Sequence, residues 1–175
     1  MKIFYIDKKE FLSSINIEEL EKYSDGRKYK SKEKYLEHLC GLYLVKNTAK
    51  IFYGIKNPEI EIKNSKPFFK DVQNLYFSLS HSGDIVAAAF HTENTGFDIE
   101  QKKQRNFKNI MENFKIEISN PTAEDFYKFW TLHEAGIKLG KPVLSSYTAP
   151  FGNDYILSCV SDEVIISDFE IIKFR

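Results

Sequence analysis

Apolar and polar positions alternate in short bursts along much of this chain, interrupted by two stretches with helical spacing. Ile3 to Ile6 reads as a first strand, and residues 17–23 as a short helix with Asn16 available as its cap. Tyr35, Leu39, Leu42, Val45, Ala49 and Phe52 recur at steps of three and four, which predicts a long helix over Lys32 to Tyr53, stopped by Gly54. Ile60 and Ile62 alternate with charges and mark a brief strand, after which Asn64-Ser65-Lys66-Pro67 reads as a turn or loop. Three strands then follow closely, Leu75 to Ser80, Ile85 to His91 and Thr95 to Glu100, and their turn signals predict an antiparallel meander.

Residues 101–120 are charged and weakly patterned, a loop with a helical turn. Asn120 as N-cap and Pro121 at the first position open a second helix that runs to about Leu139 and stops at Gly140-Lys141-Pro142. Phe126, Trp130, His133 and Ile137 form its apolar stripe. Short strands are expected near 154–160, 163–167 and 169–174. A helix followed by antiparallel strands thus occurs twice, without a sequence repeat. The expected fold class is α+β, two similar halves over 1–94 and 95–175, each a long helix packed on a short antiparallel sheet.

Composition narrows the function. With 42% hydrophobic and 15% aromatic residues, 175 positions suffice for one compact unit. Lys plus Arg and Asp plus Glu both number 25, so the chain lacks the basic excess of a nucleic-acid binder. Charge is uneven locally: residues 22–34 are rich in lysine, and Lys102, Lys103, Arg105 and Lys108 form a second basic cluster. Each is either a solvated face or a cradle for a phosphorylated ligand or acidic partner. Cys40 and Cys159 have no metal-type spacing, as expected of buried thiols in a reducing compartment. No stretch has the length and apolarity of a membrane span, and a cytoplasmic protein is expected.

The candidate chemistry lies in acidic residues. Asp98 and Glu100 sit one residue apart in Gly96-Phe97-Asp98-Ile99-Glu100, so on a strand both carboxylates share a face. Two anions on one face repel. A hard divalent cation such as Mg2+ offsets that repulsion, with a phosphate completing its shell. Glu134 and Lys138 lie four apart on the second helix, where an exposed ion pair is the plain alternative. His81, in Phe77-Ser78-Leu79-Ser80-His81-Ser82-Gly83, is either a functional imidazole or a turn histidine satisfied by its neighbours' hydroxyls.

Taken in order, these pieces resemble the 4'-phosphopantetheinyl transferases of the surfactin-synthetase-activating type, pseudo-dimers built in one chain. The resemblance rests on Lys66-Pro67, on Phe77 to Gly83, on Gly96 to Glu100, and on Phe126-Tyr127-Lys128-Phe129-Trp130-Thr131-Leu132-His133-Glu134-Ala135-Gly136-Ile137-Lys138. It implies that the phosphopantetheine arm of coenzyme A moves to a serine of an apo acyl or peptidyl carrier protein. It implies further that Asp98, Glu100 and Glu134 hold Mg2+, with Glu134 also helping to deprotonate the serine. Lys66, Ser80, His81, Ser82 and Lys138 would bind coenzyme A. A pseudo-dimer has less need of a second copy, so a monomer is expected.

The chain departs from the family pattern: Phe97 stands where a smaller aliphatic residue is common, and the region after Gly140 is compact. His133 stands where lysine is usual, and either it makes a phosphate contact pH-dependent or it packs beside Trp130. The alternative to an enzyme is a non-catalytic module of the same fold that binds coenzyme A or a carrier protein.

Overall fold

The structure is a computed structural model and describes residues 1–63, 66–116, 118–164 and 166–174. The elements run β1 (Lys2–Asp7), α1 (Lys8–Ser14), α2 (Ile17–Glu21), α3 (Lys32–Tyr53), β2 (Ile60–Lys63), β3 (Lys66–Phe69), β4 (Tyr76–Ser82), β5 (Ile85–His91), β6 (Thr95–Gln101), α4 (Lys108–Asn113), α5 (Ala123–Leu139), β7 (Ser145–Phe151), β8 (Tyr155–Ser161) and β9 (Glu170–Lys173). This is the expected α+β class.

The strands form a sheet in the order β4-β5-β1-β9, a separate β2-β3 hairpin, and a sheet in the order β6-β8-β7. All pairings are antiparallel except β1 with β9. The long helix α3 packs its Leu39, Cys40, Leu44, Val45 and Ala49 on the first sheet, against Phe4, Phe77, Ala88 and Phe90. A second core joins the two sheets, with Ile3, Ala87 and Ala89 meeting Phe97, Ile99, Leu157 and Cys159.

The boundaries of α3 fall where the periodicity puts them. Ser31 caps its first turn, and Gly54, at φ 70°, ends it in the left-handed conformation. Other expectations need correction. The three-strand meander stops at two, because β6 leaves β5 and pairs with β8. Lys66 and Pro67 belong to β3 rather than to a loop, while Asn64 and Ser65 lie outside the described residues.

Helix α5 begins at Ala123, capped by Thr122, whose side chain and that of Asp125 bond each other's backbone N–H; Asn120 and Pro121 precede it. Its buried stripe is Phe126, Tyr127, Thr131, Ala135 and Leu139, whereas Ile137 is 59% exposed. Residues 162–164 and 166–169 form no strand, and position 165 lies outside the described residues. Strand β7 has no alternating apolar signature; it is an edge strand, which is why it accommodates Pro150.

Candidate functional site

Strand β6 is buried along most of its length, with α5 on one face and the first sheet on the other. Gly96 allows the close approach of α5, since a side chain there would overlap the Ala135 carbonyl oxygen. In register, Asp98 faces Ser158 and Glu100 faces Ile156. Thr131 of α5 reaches Ser158 at 2.8 Å, so both acids stand on the face that α5 covers. The shared face read from the i, i+2 spacing is therefore present.

Lys138, near the end of α5, places Nζ 2.7 Å from Asp98 Oδ1. It pairs with Asp98 rather than with Glu134, four residues earlier on its own helix. Ser80 donates to the same Oδ1 at 2.6 Å, and Ser82 donates to Glu100 Oε2 at 2.6 Å. Asp98 Oδ2 is buried and has no hydrogen-bond partner among the described residues. A dry, unpaired carboxylate oxygen is costly, and it suits the oxygen-seeking chemistry of a divalent cation. Glu134 is half-buried on α5 and is not drawn into this pair. Among the described residues, no group of three or more His, Cys, Asp or Glu side chains gathers closely enough to hold a metal.

His81 points to the other side of β4, toward α3. Its Nδ1 lies 2.7 Å from Glu37 Oε1, and Glu37 also pairs with Lys34 at 3.1 Å and Lys8 at 3.8 Å. Desolvation of the ring holds the imidazole below its ordinary range; Glu37 opposes this, while Lys34, Lys138 and Lys8 add to it. Set against a carboxylate oxygen, Nδ1 carries a proton and donates it to Glu37. Glu37 was not legible as a site residue, because a helical glutamate is ordinarily solvated.

Lys66 binds the side chain of Asn94, the Thr95 carbonyl at 3.2 Å and the Leu139 carbonyl at 3.4 Å. Its ammonium thus ties the start of β6 to the C-terminus of α5, where a cation is favoured by the helix dipole. Burial pushes its pKa below the usual lysine value. Lys66, Pro67, Lys138 and Lys141 line a cleft of about 790 Å³ between the β3–β4 side and the end of α5.

No family model matches this chain. It is similar to 4'-phosphopantetheinyl transferase Sfp of Bacillus subtilis (strain 168), with 31% identity over 139 residues that cover 73% of this chain and 61% of that protein. It is also similar to 4'-phosphopantetheinyl transferase psf-1 of Bacillus pumilus, with 30% identity covering 66% of this chain and 56% of the relative. The ffp transferase of Bacillus subtilis matches at 30%, covering 67% and 58%. These similarities support a place in the 4'-phosphopantetheinyl transferase superfamily. It spans about three-fifths of the length of the curated relatives it matches.

Against that superfamily's pattern, the unusual His133 packs among rings, 4.8 Å from Phe114 and 5.9 Å from Trp130 between centroids. In the basic segment after β6, Arg105 lies 5.6 Å from the Phe126 and Tyr127 rings. Both cysteines are free and buried, and burial pushes their thiols up to about 11 for Cys40 and about 12 for Cys159. No described helix is long and apolar enough to cross a membrane.

Proposed function

We propose that this protein transfers the 4'-phosphopantetheine arm of coenzyme A to a serine hydroxyl on an apo acyl or peptidyl carrier protein, in a Mg2+-dependent reaction. The observation that supports it most is the lysine-walled cleft beside the Asp98–Lys138 pair, in a chain whose relatives are named for this transfer. The reading takes 1–94 and 95–175 as two halves with the cleft between them, in a monomeric cytoplasmic protein.

Coenzyme A would lie in that cleft with its phosphates toward Lys138, Lys66 and His81, with Ser80 and Ser82 beneath. Lys138 would exchange its Asp98 contact for a diphosphate oxygen. The carrier's serine Oγ attacks the β-phosphorus; a new O–P bond forms, the bond to the bridging oxygen breaks, and adenosine 3',5'-bisphosphate leaves. Glu134 takes the serine proton, directly or through a water. Asp98, Glu100 and Glu134 do not converge in this structure; with coenzyme A bound they would have to draw together to hold Mg2+, which would neutralise the charge that builds on the phosphates.

The Lys138–Asp98 pair favours a second reading, a module that binds coenzyme A without turning it over. Release of adenosine 3',5'-bisphosphate from coenzyme A and Mg2+ separates the two. Transfer predicts release only when an apo carrier is present. Tight coenzyme A binding in calorimetry with no release under any condition would leave the binding module, and release without a carrier would mean hydrolysis.

A further inference from the structure

Strands β4 and β6 are both edge strands, and they abut where the two sheets meet. No backbone ladder joins them. Instead, Ser78, Ser80 and Ser82, at strand period two, turn their hydroxyls toward β6. The N–H groups of Phe97, Ile99 and Gln101 donate to these oxygens at 3.0, 3.4 and 3.0 Å. A serine hydroxyl has one proton, and once its oxygen accepts a backbone N–H that proton must point elsewhere. From Ser80 it goes to Asp98, and from Ser82 to Glu100, each at 2.6 Å. Ser78 makes the same backbone bond but holds no carboxylate.

We propose that Ser82 is a positioning residue for Glu100, fixing which oxygen of that carboxylate remains available to a divalent cation, and that Ser80 does the same for Asp98. This inference rests on the metal reading above and deepens it. It commits both hydroxyl protons to the acids rather than to coenzyme A. Hydrogen bonds behind metal-binding side chains hold their orientation, and their loss typically weakens metal affinity by about 10- to 100-fold.

The test is Mn2+ binding to the protein with coenzyme A present, read from the electron paramagnetic resonance of free Mn2+, with no turnover required. Ser82→Ala should weaken binding by about 10- to 100-fold. Ser82→Thr, which restores a hydroxyl, should return to near the wild-type value. Ser78→Ala, which removes a rung of the ladder but frees no acid, should keep wild-type affinity. Ser80→Ala gives an independent second arm at Asp98 if the Ser82 variant fails to fold. Wild-type affinity in Ser82→Ala or Ser80→Ala would overturn the positioning role and leave the metal reading standing. Equal losses in Ser78→Ala and Ser82→Ala would reduce the ladder to a structural seam. No Mn2+ binding by the wild type would overturn both readings together.

Discussion

Asp98 carries opposing demands in a small space: one oxygen shared by Lys138 and Ser80, the other buried and unpaired. Asp98→Ala should leave the fold intact and lower transfer by at least about 10²–10³-fold, the scale seen when one preorganised electrostatic group is removed. Circular dichroism with a single-turnover assay checks both halves of that statement. His81 makes a different prediction. Its folded pKa lies below the ordinary imidazole value of about 6.5, so the unfolded chain binds more protons once pH falls below that point. Stability contributed by the neutral ring is present above about pH 6.5 and is lost as pH falls toward the folded value. Denaturant midpoints at a neutral and an acidic pH should show a smaller acid loss in His81→Gln than in the wild type. The shared face of Asp98 and Glu100 was legible in the sequence because side chains two apart on a strand point the same way. Glu37 and Lys8 were not, because their meeting with His81 joins α3, α1 and β4.

At the scale of the element, α5 carries the most consequence. It sets Lys138 against β6, and its seat is the bare backbone at Gly96. Gly96→Ala must push α5 outward or bend β6, and should cost about 1–3 kcal/mol or more, the usual range for overpacking. A thermal melt measures the cost, and activity should fall further than stability alone explains because Lys138 moves with the helix. Helical periodicity gave α3 its limits and α5 its existence. It misassigned the α5 face, since Trp130, His133 and Ile137 are spaced as a stripe but the strand contacts fall on Thr131, Ala135 and Leu139. Helical spacing alone does not say which side meets the sheet. Strand β3 escaped notice because Lys66-Pro67 read as part of a turn, and β7 because its apolar residues do not alternate; Pro67 and Pro150 both lie on edge strands, where a missing N–H is tolerated.

For the molecule as a whole, the partition of strands into two sheets was the least legible feature, because pairing between β6 and β8, or β1 and β9, joins residues far apart in sequence. The serines at 78, 80 and 82 mark the seam between the sheets. The same seam leaves a basic segment, Lys102 to Lys108, running from the end of β6 into α4. If an acidic carrier docks there, the KM for the carrier should rise as salt increases from about 0.01 to about 0.5 M, a span over which the Debye length falls from about 30 Å to a few Å. A KM indifferent to salt would shift docking to exposed apolar side chains such as Ile137 and Leu144. The most direct measurement of the central claim is the intact mass of an apo carrier protein after incubation with this chain, coenzyme A and Mg2+. Gain of one phosphopantetheine, abolished by replacing the carrier's serine with alanine and by chelating the metal, is the predicted result. A carrier mass unchanged across fatty-acid, polyketide and peptide-synthesis carriers would contradict it.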